Sequence, residues 1–291
     1  MSKFHIALLS AICFLPAMAM AQDDEYAAEA SSLTANLKRI ALQYNQNSVT
    51  NKKDDANYPG TYSSDEQKVL TGLFDGNLEY NTDKAVWLNS LFMEYGKSET
   101  TENGQRSKSE TADKILLTTD YTYKMWKLEE GIVGPFASLG YQTEFTTFRG
   151  ENGKKYRTKI LRGKTGFKLY EGKYFKELYI AAVEEADFTY GDTNMKTAGE
   201  IGYEFEYPFR DDLKFVSNGF YRKFFIYDKY RNTDFKYEAE TNNRLDVTIV
   251  GNLSFAPFIN YKIAKTRGAR KYRSDTIVGL SLGYETGYKI W

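Results

Sequence analysis

The stretch Thr276-Ile277-Val278-Gly279-Leu280-Ser281-Leu282-Gly283-Tyr284 alternates apolar residues with small or polar ones, and the run continues to Tyr288, Ile290 and Trp291. A period of two places alternate side chains on opposite faces of a β-strand, so this segment predicts a strand with one apolar face. The same pattern recurs upstream. Over Ala198 to Phe209, Ile201, Tyr203, Phe205, Tyr207 and Phe209 share one face, while Glu200, Gly202, Glu204 and Glu206 share the other.

The start of the chain carries a different signal. Lys3 supplies a positive n-region, Phe4 to Leu15 an apolar h-region, and Ala19-Met20-Ala21 a small-x-small cleavage pattern before Gln22. The apolar run is shorter than the roughly 20 residues a spanning helix needs. Residues 1–21 are therefore expected to be a cleaved signal peptide, 22–33 an acidic, Ala-rich periplasmic lead-in, and 34–291 one β domain. Cys13 and His5, the single cysteine and histidine, both fall in the signal. The mature chain thus has no thiol for a disulfide or a Cys-based metal site. It also lacks the side chain whose unperturbed pKa lies nearest neutrality. Outer-membrane lipases, deacylases and proteases resemble one another in relying on a His base, so no enzyme, catalytic residue, cofactor or metal is expected. Lys plus Arg equals Asp plus Glu at 39 each, and no net field points to nucleic acid.

Tyr (24) and Phe (19) are abundant and Pro (5) is scarce, as suits strands. Alternation predicts strands at about 34–46, 68–80, 84–96, 112–126, 132–148, 157–170, 174–190, 198–209, 213–228 and 275–291. Residues 244–265 hold room for two more, divided near Gly251-Asn252 or at Pro257. The connections at 81–83, 127–131, 171–173 and 210–212 are short. Those at 47–67, 97–111, 149–156, 191–197 and 229–243 are mostly long and polar. Long loops alternating with tight turns mark a transmembrane barrel. With both termini on the periplasmic side the strand number is even, which predicts an all-β, antiparallel transmembrane β-barrel of twelve strands, with ten as the alternative.

Charge patterning then sets the faces. Arg162, Lys164 and Lys168 share one face of their strand. Glu177, Glu185 and Asp187 share a face of the next, and Glu200, Glu204 and Glu206 a face of the one after. A cation facing lipid at mid-depth would cost roughly 2–4 kcal/mol, so these residues are expected to line the lumen. Glu184 interrupts the outward face of its strand. In near-tight register Lys168 would fall beside Glu177 and Arg162 near Val183. Opposed charges predict either an ion-paired plug or a polar channel with a transverse field, and the mixed signs favour the plug. Basic residues in the loops, Lys52, Lys53, Arg106, Lys108, Lys154, Lys155, Arg267, Arg270, Lys271 and Arg273, are read as solvated positions that could meet lipopolysaccharide phosphates. Trp87, Trp126, Tyr207 and Trp291 are candidates for aromatic girdles.

Two resemblances add to this reading. The chain end, Tyr284, Tyr288, Ile290 and Trp291, resembles the assembly signal of outer-membrane barrels, which finish on Phe or Trp. It departs in one respect: Leu280, Leu282, Tyr284, Tyr288 and Ile290 form the apolar face, whereas Gly287 and Lys289 share the face of Trp291, so either a bulge near the end or Ile290 must restore the pattern. The resemblance implies the barrel-assembly machinery and periplasmic chaperones as partners during biogenesis. The motifs Leu78-Glu79-Tyr80, Trp87-Leu88-Asn89-Ser90-Leu91, Glu94-Tyr95-Gly96-Lys97 and Asp120-Tyr121-Thr122-Tyr123-Lys124 resemble an uncharacterised family of Gram-negative outer-membrane barrels, a domain of unknown function. They are similar also to the salt-induced outer-membrane protein family. The family resemblances imply a β-barrel without an assigned activity; the reading as a whole is a monomeric barrel in outer-membrane lipid and lipopolysaccharide, porin-like, of structural or passive small-solute passage type. The alternatives are a secreted or periplasmic soluble barrel with an apolar ligand inside, and a His-independent enzyme.

Overall fold

The computed structural model describes residues 31–50, 68–102, 105–149 and 153–290, with the side chains of residues 47, 68, 98–102 and 105–112 left aside. Among the described residues there are fifteen strands: β1 (Ser32–Val49), β2 (Lys68–Asn81), β3 (Ala85–Glu102), β4 (Gln105–Tyr123), β5 (Trp126–Leu128), β6 (Gly131–Thr143), β7 (Phe148–Arg149), β8 (Lys155–Tyr156), β9 (Lys159–Tyr170), β10 (Phe175–Asp187), β11 (Asn194–Arg210), β12 (Leu213–Tyr227), β13 (Phe235–Val250), β14 (Leu253–Thr266) and β15 (Arg273–Lys289). Each long strand pairs antiparallel with its sequence neighbours, β15 pairs with β1, and β4 pairs with β6. The ring is closed at twelve strands, with β5 an appendage of β6 and β7–β8 a separate small hairpin. Closure leaves the ring no free edge.

The turns β2–β3, β9–β10, β11–β12 and β13–β14 lie at one end, with Leu33 and Ile290 beside them, joined through the Ile290 N–H to the Leu33 carbonyl at 2.8 Å. The longer connections lie at the other. We call these the turn end and the loop end.

Three differences from the sequence reading have physical causes. First, residues 97–102 and 105–111 continue β3 and β4 as a paired hairpin, leaving only 103–104 between them. Those two positions are Asn-Gly, the dipeptide that favours a two-residue hairpin turn. Second, 235–243 belongs to β13 and is no loop. Its alternation is masked because Glu238, Glu240 and Asn242 on one face stand beside Thr241 and Asn243 on the other. The division of the following segment falls at Gly251-Asn252, where Gly251 takes φ 54°, and Pro257 lies within β14. Third, Glu177 pairs with Tyr170, so Arg162 lies opposite Glu185 and Lys164 opposite Val183, two residues from the near-tight register. Glu171, at φ 55°, opens that turn, and its N–H reaches the Lys176 carbonyl at 3.1 Å. At the N-terminal side, Ser32 and Leu33 already belong to β1. Residues 1–21 and Trp291 lie outside the described residues.

The faces are inverted relative to a soluble protein. Ile201 is 51% exposed, whereas its neighbour Glu200 is 2% exposed. Ile180, Leu178, Phe167, Leu139, Leu117, Leu78, Leu70, Leu42, Ile40, Leu280, Leu282 and Ile259 are all exposed on the outer wall. An apolar belt this wide on the outside and ionised groups inside is the arrangement that lipid selects and water opposes. Tyr80, Trp87, Trp126, Tyr207 and Tyr288 cluster toward the turn end, as an aromatic girdle would. No bulge interrupts β15, so Tyr284, Tyr288 and Ile290 all continue its exposed face.

The irregularity lies instead in β1. Its register slips between Leu37 and Arg39 against β2, and between Leu37 and Ile40 against β15. A bulge places two successive residues on one side of a strand. Here they are Lys38 and Arg39, both turned into the lumen.

Candidate functional site: the lumen

The interior of the barrel is the place where chemistry-bearing side chains converge. Strand parity aims the even positions of β9 inward with their cations, β10 and β11 both bring mainly carboxylates, and β12, β13 and β14 then bring Arg222, the Glu238–Glu240 pair and Lys262. Lys164 of β9 donates to Glu200 Oε1 of β11 at 2.5 Å. The Tyr179 hydroxyl of β10 donates to the same oxygen at 2.6 Å. Arg222 of β12 donates through Nε to Glu200 Oε2 at 2.5 Å and through Nη1 to Glu238 Oε1 of β13 at 2.6 Å. Glu200 therefore holds two cations and a phenol on two oxygens, and each of these donors is charge-assisted. Gly202 makes room for this cluster: a Cβ there would lie 2.4 Å from the Tyr179 ring and hydroxyl.

A second network lies nearer the loop end. Arg162 donates through Nε and Nη2 to Glu185 Oε2 at 3.0 and 2.6 Å. Lys196 of β11 meets Glu185 Oε1 at 2.7 Å and Asp234 Oδ1 at 3.6 Å. Asp187, which the sequence placed with Glu185, sits at the rim and meets Arg231 at 3.6 Å. Nearer the turn end, Lys168 bridges Asp120 Oδ2 of β4 at 2.9 Å and Glu177 Oε2 of β10 at 3.1 Å, with its ammonium 4.7 Å from the centre of the Phe136 ring. Glu206 lies toward the turn end of the same face, and its N–H donates to the Tyr174 carbonyl at 2.8 Å.

Lys38 reaches across the lumen, and Arg39 reaches along its own side of the wall. Lys38 Nζ of β1 lies 3.2 Å from Glu204 Oε2 of β11, five places away around the twelve-strand ring. Arg39 donates through Nη1 to Asp246 Oδ1 of β13 at 3.2 Å and through Nη2 to Ser281 Oγ of β15 at 2.8 Å. The bulge is what delivers both cations. The sequence reading missed Lys38, Arg39, Arg222, Glu238 and Asp246, because a bulge breaks parity and cross-lumen partners depend on ring order. Among the other inward positions, Ser90, Phe92, Glu94 and Lys114 are half-buried, whereas Thr71, Val216, Ala256 and Ser281 are each exposed by 1% or less. Water of ordinary size scarcely reaches the latter group.

Glu184 stands on the outward face, buried, and accepts from Thr197 Oγ1 across the β10–β11 pair at 2.8 Å. That cross-strand bond shields the carboxylate where a bare one would face lipid. Among the described residues, no group of three or more His, Cys, Asp or Glu could hold a metal ion.

Comparison with known proteins locates the chain. Residues 62–147 match a family described as "Protein of unknown function (DUF3078)". The match falls on the stretch whose Trp, Tyr and Asp motifs resemble a domain of unknown function, and the description carries no activity. No curated protein matches the chain. Among solved structures, the translocator domain of the autotransporter NalP from Neisseria meningitidis is similar at 11% identity and a TM-score of 0.37, with 96% of each chain covered. The outer membrane channel DcaP of Acinetobacter baumannii is similar at 9% identity over 91% of this chain and 99% of that chain, with a TM-score of 0.40. An outer membrane channel from Pseudomonas putida F1 is similar at 10% identity over 91% of this chain and 100% of that chain, with a TM-score of 0.42. Likenesses at this level carry no argument about the site, and the barrel assignment rests on the chain's own strand pairing.

Proposed function

We propose that the protein is an outer-membrane β-barrel whose lumen is closed by ion pairs, with a structural role in the envelope and at most restricted passage of small solutes. The observation that carries this reading is the Lys38–Glu204 contact, which bridges walls five strands apart in a lumen that also holds the buried charges Lys168, Glu185, Glu200 and Arg222. A lysine and a glutamate meet across a barrel only where the space between the walls is already narrow. Mixed signs in close pairs also leave no one-signed ring to select an ion.

The soluble-barrel alternative needs the opposite polarity, with apolar residues inside and a polar wall. Glu200, Glu185 and Lys168 inside and Ile201, Ile180 and Phe167 outside argue against it. The exposed apolar belt and the export signal read at residues 1–21 support a location in the outer membrane. The protein is proposed to be non-catalytic and monomeric, acting without cofactor.

Liposome swelling tests the reading. Vesicles carrying the refolded barrel are expected to swell in arabinose or glycine no faster than empty vesicles. Swelling at rates that fall with solute size would overturn it in favour of an open pore.

A further inference from the structure

The lumen pairs most of its lysines with carboxylates, but three lysines elsewhere stand apart. On the outer wall near the loop end, Lys223 of β12 lies opposite Tyr237 of β13, which lies opposite Lys265 of β14. The β13–β14 register slips between Phe235 and Tyr237. Phe235 packs inward, against Val183 and Phe224. The extra residue of this bulge leaves Lys236 on the same outward side as Tyr237, as Lys38 and Arg39 share a side in β1. Lys223 and Lys236 are exposed and Lys265 is half-buried. None of the three forms an ion pair with a described carboxylate, since the acids of these strands, Glu238, Glu240 and Asp246, face the lumen and are held by Arg222, Lys262 and Arg39.

Neighbouring strands are about 4.8 Å apart, so Lys223 and Lys265 start about 10 Å apart, within reach of one another's long arms over the Tyr237 position. Like charges so placed repel. A phosphate between them would remove that repulsion, and lysine ammonium groups suit it as point charges. The position selects the source. Below the three lysines the wall becomes apolar and aromatic, with Tyr221 exposed and its ring 6.4 Å from Tyr237. Cations at the edge of a belt extend into the headgroup layer.

We propose that Lys223, Lys236 and Lys265, arranged around Tyr237, form a site for the phosphate of a lipid headgroup in the leaflet at the loop end. The proposal rests on the membrane reading of the wall. With the loop end outermost, the ligand class is a phosphorylated glycolipid.

Native mass spectrometry of the full-length folded protein in detergent tests it, with bisphosphorylated lipid A, dephosphorylated lipid A and inorganic phosphate as probes. Wild type is expected to retain phosphorylated lipid A at least tenfold better than the dephosphorylated form, with millimolar phosphate failing to displace it. The triple variant K223Q/K236Q/K265Q is expected to lose that preference, the single variant K236Q to weaken it, and K84Q at the turn end to keep it. Cold-detergent gel mobility checks that each variant is folded. Equal retention of both lipids, an unchanged triple variant, or binding of free phosphate as tight as that of the lipid would each overturn the site while leaving a membrane barrel intact. A protein that neither inserts into bilayers nor retains any lipid would overturn the membrane reading itself.

Discussion

Replacing Glu200 by Gln keeps the shape of the side chain and removes its charge. In the native barrel the two oxygens of Glu200 accept from Lys164, Tyr179 and Arg222, and its side chain is fully buried. Arg222 keeps Glu238 at 2.6 Å, but Lys164 loses its only anionic partner and is left with neutral acceptors, the new amide oxygen and the Tyr179 hydroxyl at 3.4 Å. Breaking a buried pair by removing one partner costs about 3–5 kcal/mol, because the surviving charge stays buried without compensation. Arg222's second partner places E200Q near the lower end of that range, at about 3 kcal/mol. If uncompensated charge is the cause, removing Lys164 too should return stability. The double variant E200Q/K164M is expected to be at least about 1 kcal/mol more stable than E200Q, a coupling within the usual size for touching residues. Urea unfolding of the barrel in lipid vesicles, followed by tryptophan fluorescence, measures both. An E200Q cost below about 1 kcal/mol, or a double variant as unstable as the sum of the singles, would refute the reasoning.

Ile180→Arg places a cation on the outer wall at a residue 60% exposed and should cost roughly 2–4 kcal/mol, read as loss of the compact cold-detergent gel form; normal assembly would mean that this wall does not face lipid. The β4–β6 ladder runs only from Ile115↔Thr143 to Thr122↔Phe136, shorter than any other ladder in the ring, and ends where a Cβ on Gly134 would strike the Tyr123 carbonyl and where Pro135 lacks an N–H. Hydrogen exchange is expected to be faster at Leu116–Thr122 than in β1 or β11, and equal protection would contradict this. At the loop end, Asp192 accepts from Lys229 at 2.7 Å and Arg231 at 2.6 Å, and the Lys229 hydrogen bond, then that of Arg231, holds its carboxyl below the usual range. A lowered pKa means that the tie is present above the unfolded value, near 3.9, and is lost as pH falls through the lower folded value. Limited proteolysis should therefore find residues 228–234 protected at neutral pH and cut once the pH lies well below the ordinary carboxylate value. The D192N variant should be cut at both, and protection unchanged in D192N would sink the assignment.

How much of this was legible from residues alone depends on which interaction fixes each feature. Local alternation fixes strands, and β11 could be read directly because Glu200, Glu204 and Glu206 interleave with Ile201, Tyr203 and Phe205. Alternation fails in β13, where Tyr203, Ser217, Thr241 and Asn243 satisfy one another on the outer wall, with Tyr203 Oη 2.8 Å from Thr241 Oγ1 and the Ser217 hydroxyl donating to Asn243 Oδ1 at 2.8 Å. Polar residues tolerated outside by such mutual bonding look, in sequence, like a loop. The identities of several inward charges followed from parity, but their partners did not. Lys164 meets Glu200 two strands away, and Lys38 meets Glu204 on the far wall. Such contacts depend on closure and on a one-residue bulge that no local pattern announces.

The central claim, that ion-paired side chains close the lumen, is tested most directly by single-channel recording of the refolded protein in a planar bilayer. The account predicts insertion without stable conductance steps in neutral salt. Steps of uniform size from the wild-type barrel would contradict it, and would mean that the Lys38–Glu204 bridge and the buried charges of β9–β13 leave an open path.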